Sequence, residues 1–175
     1  MSSESADQRV LKPMTPKALE KRIIQFLKGQ NMCVFATCSH DVPRATPIEY
    51  HSKGTTLYFV GEPGTKLNNL KTNPNVSIGI FHPYVGWESA KGAQITGKAK
   101  IISRLDSSEF EEGLTAYQWE KTAKELGLKT FPDTGVELLK VEPQKIEFID
   151  MSLKILGYSP RQTLNTPNPP TDTDA

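Results

Sequence analysis

The sequence predicts a mainly β fold with peripheral helices, arranged as a small antiparallel barrel of six or seven strands. Short apolar and β-branched runs recur along most of the 175 residues. Polar or glycine-containing breaks at Ser39-His40-Asp41, Gly54 and Gly61–Gly64 separate the early runs at hairpin distances. Helical spacing of apolar residues is confined to a few stretches. A sheet of hairpin-linked strands hides its edges best by curling on itself, and a chain of this length is expected to form one domain.

The elements follow in order. Residues 1–12 read as a flexible N-terminus ahead of a domain over 13–156. Thr15-Pro16 starts a helix, with Thr as N-cap and Pro at its first position. Leu19, Ile23, Phe26 and Leu27 form its apolar face, and Gly29 ends it. Met32–Cys38 and Pro43–Tyr50 are strands around a polar turn. Thr56–Val60 is a third strand. Thr65–Thr72 is a short helix stopped by Asn73-Pro74. Asn75–Phe81 and Gly92–Ser103 are strands around a loop that carries Trp87. Asp106-Ser107-Ser108-Glu109 has the form of a capping box, opening a helix over Phe110, Leu114 and Tyr117. A further amphipathic piece runs through Ala123, Leu126 and Leu128. Val136–Val141 and Lys145–Ile149 are strands around a bend at Glu142-Pro143. Residues 157–175, rich in Pro, Thr, Asn and Asp, read as a largely disordered tail.

Charge narrows the function classes. With 21 Lys+Arg against 20 Asp+Glu, no basic excess points to nucleic acid. No apolar run spans a bilayer, and the N-terminus lacks the pattern of a secretory signal, so a cytoplasmic location is expected. Cys33 and Cys38 are five apart on one strand and face opposite ways, which disfavours a disulfide or a shared metal. His40, His51 and His82 sit at turns or strand ends without a metal-ligand motif; no metal site is expected.

One constellation carries chemistry. Arg44 lies on the second strand. Gly61-Glu62-Pro63-Gly64-Thr65-Lys66 joins the third strand to a helix start. A helix N-terminus offers unpaired N–H groups and a partial positive charge, and Thr65 adds a hydroxyl. A lysine in the first helical turn opposes the macrodipole, a penalty that a bound anion removes. Arg44 can present a bidentate fork to the same anion. From spacing alone the cations fit either a phosphate site or a solvated surface.

Taken together, Met32-Cys33-Val34-Phe35-Ala36-Thr37-Cys38, Pro43-Arg44-Ala45-Thr46-Pro47-Ile48, Leu57-Tyr58-Phe59-Val60, Lys66-Leu67-Asn68-Asn69-Leu70, Asn73-Pro74-Asn75-Val76 and Ile95-Thr96-Gly97-Lys98-Ala99 resemble the pyridoxamine-5′-phosphate-oxidase-like family of FMN-binding split barrels. The resemblance runs from about Ile23 to Asp150. It implies a six-stranded split barrel, a homodimer and FMN at the subunit interface. It assigns the FMN phosphate to Arg44, Thr65 and Lys66. It places the backbone of Ala45, Thr46, Pro47 and Ile48 beside the flavin, with Phe59 and Val60 on the next strand. Gln94 would reach the ring edge, from the same or the partner subunit, and Trp87 would cover the site.

The resemblance is incomplete. The oxidases carry a Trp- and Arg-rich C-terminal segment, where this chain has Gly157-Tyr158-Ser159-Pro160-Arg161-Gln162. They place a lysine for the substrate phosphate where this chain has Glu49, and a carboxylate there disfavours a phosphorylated vitamer. No side chain stands out as a catalytic acid or base. The reading is therefore an FMN-dependent oxidoreductase of a small molecule. Its alternatives are a non-enzymatic FMN carrier or sensor, and a deazaflavin- or haem-binding member with His82 or His51 as axial ligand.

Overall fold

The computed structural model describes residues 11–166. Its first helix, α1 (Pro16–Lys28), begins as expected: the Thr15 hydroxyl accepts from the Ala18 N–H. Then follow β1 (Met32–Ser39), β2 (Val42–Glu49), β3 (His51–Lys53) and β4 (Thr56–Gly61). After α2 (Thr65–Thr72) come β5 (Asn75–Phe81) and β6 (Lys91–Ile101). Helices α3 (Ser107–Tyr117) and α4 (Trp119–Leu126) precede β7 (Glu137–Asp150) and β8 (Arg161–Asn165).

The β1–β2 hairpin turns at His40 and Asp41, with φ of +51° and +60°. Positive φ at both central residues matches the right-handed twist of the strands it joins. The sheet runs β2-β1-β5-β6-β7-β4-β3, with β8 added to β7, and every strand pair is antiparallel. β4 and β8 share one edge of β7, because β4 pairs with residues 137–141 and β8 with 145–149. β2 and β4 approach each other without forming a ladder, which leaves the curled sheet split between them.

Several expectations change in detail. The sheet has eight strands, not six or seven. The second expected strand breaks at Tyr50, whose N–H donates to the Asn31 carbonyl and whose hydroxyl donates to the Leu27 carbonyl. The two strands expected around Pro143 are one. A bulge absorbs the proline: the register passes from Thr96↔Lys145 to Gly97↔Pro143, and a bulge tolerates the missing N–H donor. The expected tail includes β8, where Gln162 and Leu164 turn inward; residues 167–175 lie outside the described residues, as do 1–10. The capping box closes on one side only. Asp106 accepts from the Glu109 N–H, while the Glu109 carboxylate pairs with Lys100 at 2.6 Å. Leu126 and Leu128 are exposed, so α4 buries Trp119 and Ala123 instead.

Two apolar clusters flank β4. Leu57 and Phe59 point into the barrel, where Phe35 stacks on Phe59 at 4.9 Å and Phe26 of α1 meets Phe148 edge-on at 5.4 Å. Tyr58 and Val60 point to the other side and join Tyr117, Trp119 and Phe131 under the α3–α4 cap.

Candidate functional site

Cross-strand register sorts the candidate residues by face. Residues directly opposite each other in a ladder share a face. Arg44 is opposite Thr37, Thr46 is opposite Phe35, and Ile48 is opposite Cys33. Phe35 and Cys33 are core residues, so Arg44, Thr46 and Ile48 lie on the inner face of β2. Ala45 and Pro47 lie on the outer face, opposite Ala36 and Val34.

Helix α2 packs along the inner face of β1. Leu67 and Leu70 enter the core, and the buried Asn69 donates to the Thr37 hydroxyl at 3.0 Å. Thr72 reaches Ser39, and Asn73 donates to the Cys38 carbonyl. This pins the helix in register with β1 and sets Asn69 level with Arg44 across β1. Thr65 and Lys66 are one helical turn away from Asn69, on its side of the helix.

The start of α2 is open. Its N-cap is Gly64, at φ +152° and ψ −168°, a combination close to glycine-only. No side chain caps it, and its first turn holds no acid. Lys66 extends back to β4. A Cβ on Gly61 would lie 3.3 Å from the Lys66 Nζ and 3.2 Å from Leu139 Cδ1, so the glycine leaves room for the ammonium at the split. Burial lowers the Lys66 pKa, against the opposing charge of Glu62. Burial likewise pushes the Cys33 thiol up to about 12, against the pull of Lys66, so this cysteine stays protonated and unreactive. Among the described residues, neither Lys66 nor Arg44 has a carboxylate within ion-pair distance.

Lys66 is half-buried, while Arg44 and Thr65 are exposed; together they give this face, the cation seam, a positive charge and unused donors. The Thr46 hydroxyl, on the same face, is a buried polar atom without a hydrogen-bond partner. An orphaned donor, two unpaired cations and an uncapped helix start are what a phosphorylated ligand would complete. The residues present therefore fit a flavin phosphate. Phe59 is fully buried and Val60 packs towards α3, so these two can offer a ligand only their backbone. β3 pairs with β4 only at residues 56–58, which leaves the edge from Phe59 onward free on the side of β2.

Other candidates lie elsewhere in the single chain. Gln94 is on the outer face, opposite Gly79 and Glu147. It lines a cavity of about 730 Å³ with Ala36, Phe81 and Arg161. Trp87 sits in a 3-10 turn, 62% exposed, beyond the Phe81 end of β5; Arg44 lies towards the opposite, Asn75 end, through Ala36↔Ser77. One chain thus sets Arg44 and the start of α2 on the same face of the sheet but does not bring Gln94 or Trp87 to them. Glu49 is turned to α3, where it accepts from the Tyr117 hydroxyl at 3.5 Å and stands 4.0 Å from His51 Nε2. Burial holds the His51 imidazole below its usual value, against Glu49 and with Lys121. Burial and Glu49 push the Tyr117 phenol up to about 12. Among the described residues no group of three His, Cys, Asp or Glu could hold a metal ion, and no helix is long and apolar enough to cross a membrane.

Sequence reasoning missed Asn69 and Thr37, the pair that holds α2 against β1. An asparagine inside the apolar face of a short helix was the available signal.

Comparison with known proteins agrees with this architecture. A UPF0306 protein of Pasteurella multocida is 25% identical over 79% of this chain and 89% of its own length. An FAD-binding protein of Mesorhizobium loti superposes with a TM-score of 0.58 at 17% identity, covering 74% of this chain and 91% of that one. The haem storage protein HutZ of Vibrio cholerae superposes with a TM-score of 0.58 at 18% identity, covering 71% and 89%. At these identities the structural likeness speaks for the split-barrel fold alone. Residues 19–150 match the pyridoxamine 5′-phosphate oxidase family, and the chain belongs to that family.

Proposed function

We propose that the protein binds FMN and acts as a flavin-dependent oxidoreductase on a small organic molecule, as a homodimer with the cofactor between subunits. The observation that carries this reading is Lys66. It is a half-buried ammonium at an uncapped helix start, with no carboxylate within ion-pair distance among the described residues, across β1 from Arg44. Arg44, Thr65 and Lys66 hold the phosphate. The strand from Ala45 to Ile48 flanks the ring, and the free edge at Phe59 and Val60 faces it.

When bound, the flavin supplies the electron and hydride transfer that side chains cannot. The chain neutralises the phosphate, orients the ring along β2 and keeps water off the inner face. Gln94 and Trp87 reach the ring from the partner subunit. Phe81, Tyr84, Val85 and Trp87, each 62–80% exposed, form an apolar surface suited to that contact. Glu49, held by Tyr117, makes a phosphorylated vitamer a poor substrate. Cofactor class is read from the spectrum of the purified protein: flavin bands support this reading, whereas a Soret band or a deazaflavin spectrum overturns it. Bleaching by NADH or NADPH, followed by reoxidation with an acceptor, separates an oxidoreductase from an FMN carrier or sensor.

A further inference from the structure

We propose that the α3–α4 cap holds a second ligand site, separate from the cation seam, for a small aromatic carboxylate. The site is a cavity of about 720 Å³ between α3, the start of α4 and residues 129–133. That volume accommodates one or two fused rings.

Phe110, Leu114, Trp119 and Phe131 make its apolar wall. The aromatic rings meet edge to face, with centroids 5.5 Å apart for Phe110 and Phe131 and 4.8 Å for Trp119 and Phe131. A further ring can join such a cluster in the same geometry. Arg104 supplies the polar end. Its guanidinium carbon lies 5.4 Å from the Phe110 ring centre and 4.9 Å from that of Phe131. One Nη donates to the Val136 carbonyl at 3.0 Å, and no carboxylate pairs with Arg104 among the described residues. A guanidinium whose face is taken by rings still has an edge that matches a carboxylate. The other lining charges are exposed: Lys121 and Lys129 against Glu111, Glu120 and Asp133. Solvent screens those charges, and Arg104 is the half-buried one beside the aromatic wall.

Trp119 is a second, independent observation. It is 7% exposed, and its Nε1–H is buried without an acceptor. A buried indole N–H ordinarily finds a partner, so this donor is left over by the fold. Gln118, which also lines the cavity, takes left-handed angles (φ +60°, ψ +41°) to break α3 from α4.

The test uses the full chain with 1-naphthoate and its neutral counterpart 1-naphthamide. The chain has two tryptophans, so an amide spectrum labelled with nitrogen-15 shows two indole N–H signals, and Trp87→Phe removes one. The Trp119 signal is expected to move saturably with 1-naphthoate while the Trp87 signal stays. By calorimetry the amide is expected to bind at least tenfold more weakly, and Arg104→Gln to bring the two ligands within about twofold. An unmoved Trp119 signal, or equal affinity for acid and amide in the wild-type protein, would overturn the proposal. The wild-type comparison decides the matter even where Arg104→Gln fails to fold. Lys66→Ala is expected to leave naphthoate binding unchanged; a matching loss would show that the two sites are one. This outcome does not depend on whether the seam binds FMN.

Discussion

Two charged clusters in this molecule differ in how completely they are satisfied. Asp150 closes the first. Its carboxylate, 1% exposed, takes Arg22 at 2.7 Å, Lys91 at 3.0 Å and the Ser152 hydroxyl at 2.6 Å. It ties α1 and the start of β6 to the end of β7. Burial alone would raise its pKa, but the bonds from Ser152, Lys91 and Arg22 outweigh burial and bring the carboxyl below its usual value. The second cluster is the seam of Arg44, Thr65 and Lys66, whose cations have no carboxylate within ion-pair distance among the described residues. A fold that only needed stability would have paired Lys66 as it paired Arg22. The closed cluster is structural, and the open one is where we propose that a ligand binds.

Substitutions sharpen that contrast. The largest stability effect is expected at Asp150. Asp150→Ala leaves two part-buried cations unpaired and should cost about 3 kcal/mol in urea unfolding, while the folded fraction keeps its FMN affinity. The pH dependence follows from the sign of the shift. A lowered carboxyl pKa contributes stability above the unfolded value, and that stability is lost as pH falls through the folded pKa. Wild-type protein should therefore lose stability below about pH 4, and Asp150→Asn should flatten that loss.

The seam should behave in the opposite way. Lys66→Met removes a half-buried unpaired ammonium and should stabilise the ligand-free protein by about 1 kcal/mol. Because the Lys66 pKa is lowered, the charged form costs stability at neutral pH, and the cost fades as pH rises through the folded pKa towards the unfolded value. Thr46→Val removes an orphaned hydroxyl. It should stabilise the ligand-free protein by up to about 1 kcal/mol, yet weaken FMN severalfold. Gly61→Ala should cost folding about 1 kcal/mol: the Lys66 side chain can swing away, but the buried Leu139, whose Cδ1 would lie 3.2 Å from the new Cβ, must shift by a few tenths of an ångström. It should still weaken FMN by displacing that ammonium. A loss of folding stability from Lys66→Met, or no effect of Thr46→Val on FMN, would break the contrast.

Much of this was readable in the sequence wherever local chemistry decides structure. Thr15-Pro16 capped α1, Asn73-Pro74 stopped α2, and the polar turn at His40-Asp41 became a tight hairpin. Long-range fits were not readable. Pro143 looks like a strand break, yet β7 runs through it because Gly97 on β6 lets the bulged backbone approach. A Cβ on Gly97 would meet the Glu142 carbonyl oxygen at 2.5 Å. Residues 161–165 have a tail's composition. They become β8 because Gln162 accepts from the Met14 N–H and donates to the Ser159 carbonyl, with the edge of β7 free to receive them. For the site, the residue types at Arg44 and Lys66 were informative, but their shared seam depends on the Asn69–Thr37 bond. Nothing local marks Arg104 and Trp119 as neighbours across the α3–α4 cap.

The central claim is that the seam recognises a phosphate. Titrating FMN and riboflavin into wild-type, Lys66→Ala and Arg44→Ala proteins, followed by flavin fluorescence, tests it most directly. Loss of one charge-assisted contact corresponds to roughly 10- to 100-fold in affinity. The account predicts that loss for FMN in each variant, with riboflavin affinity unchanged. Equal weakening of both ligands, or wild-type protein that binds riboflavin as tightly as FMN, would contradict it.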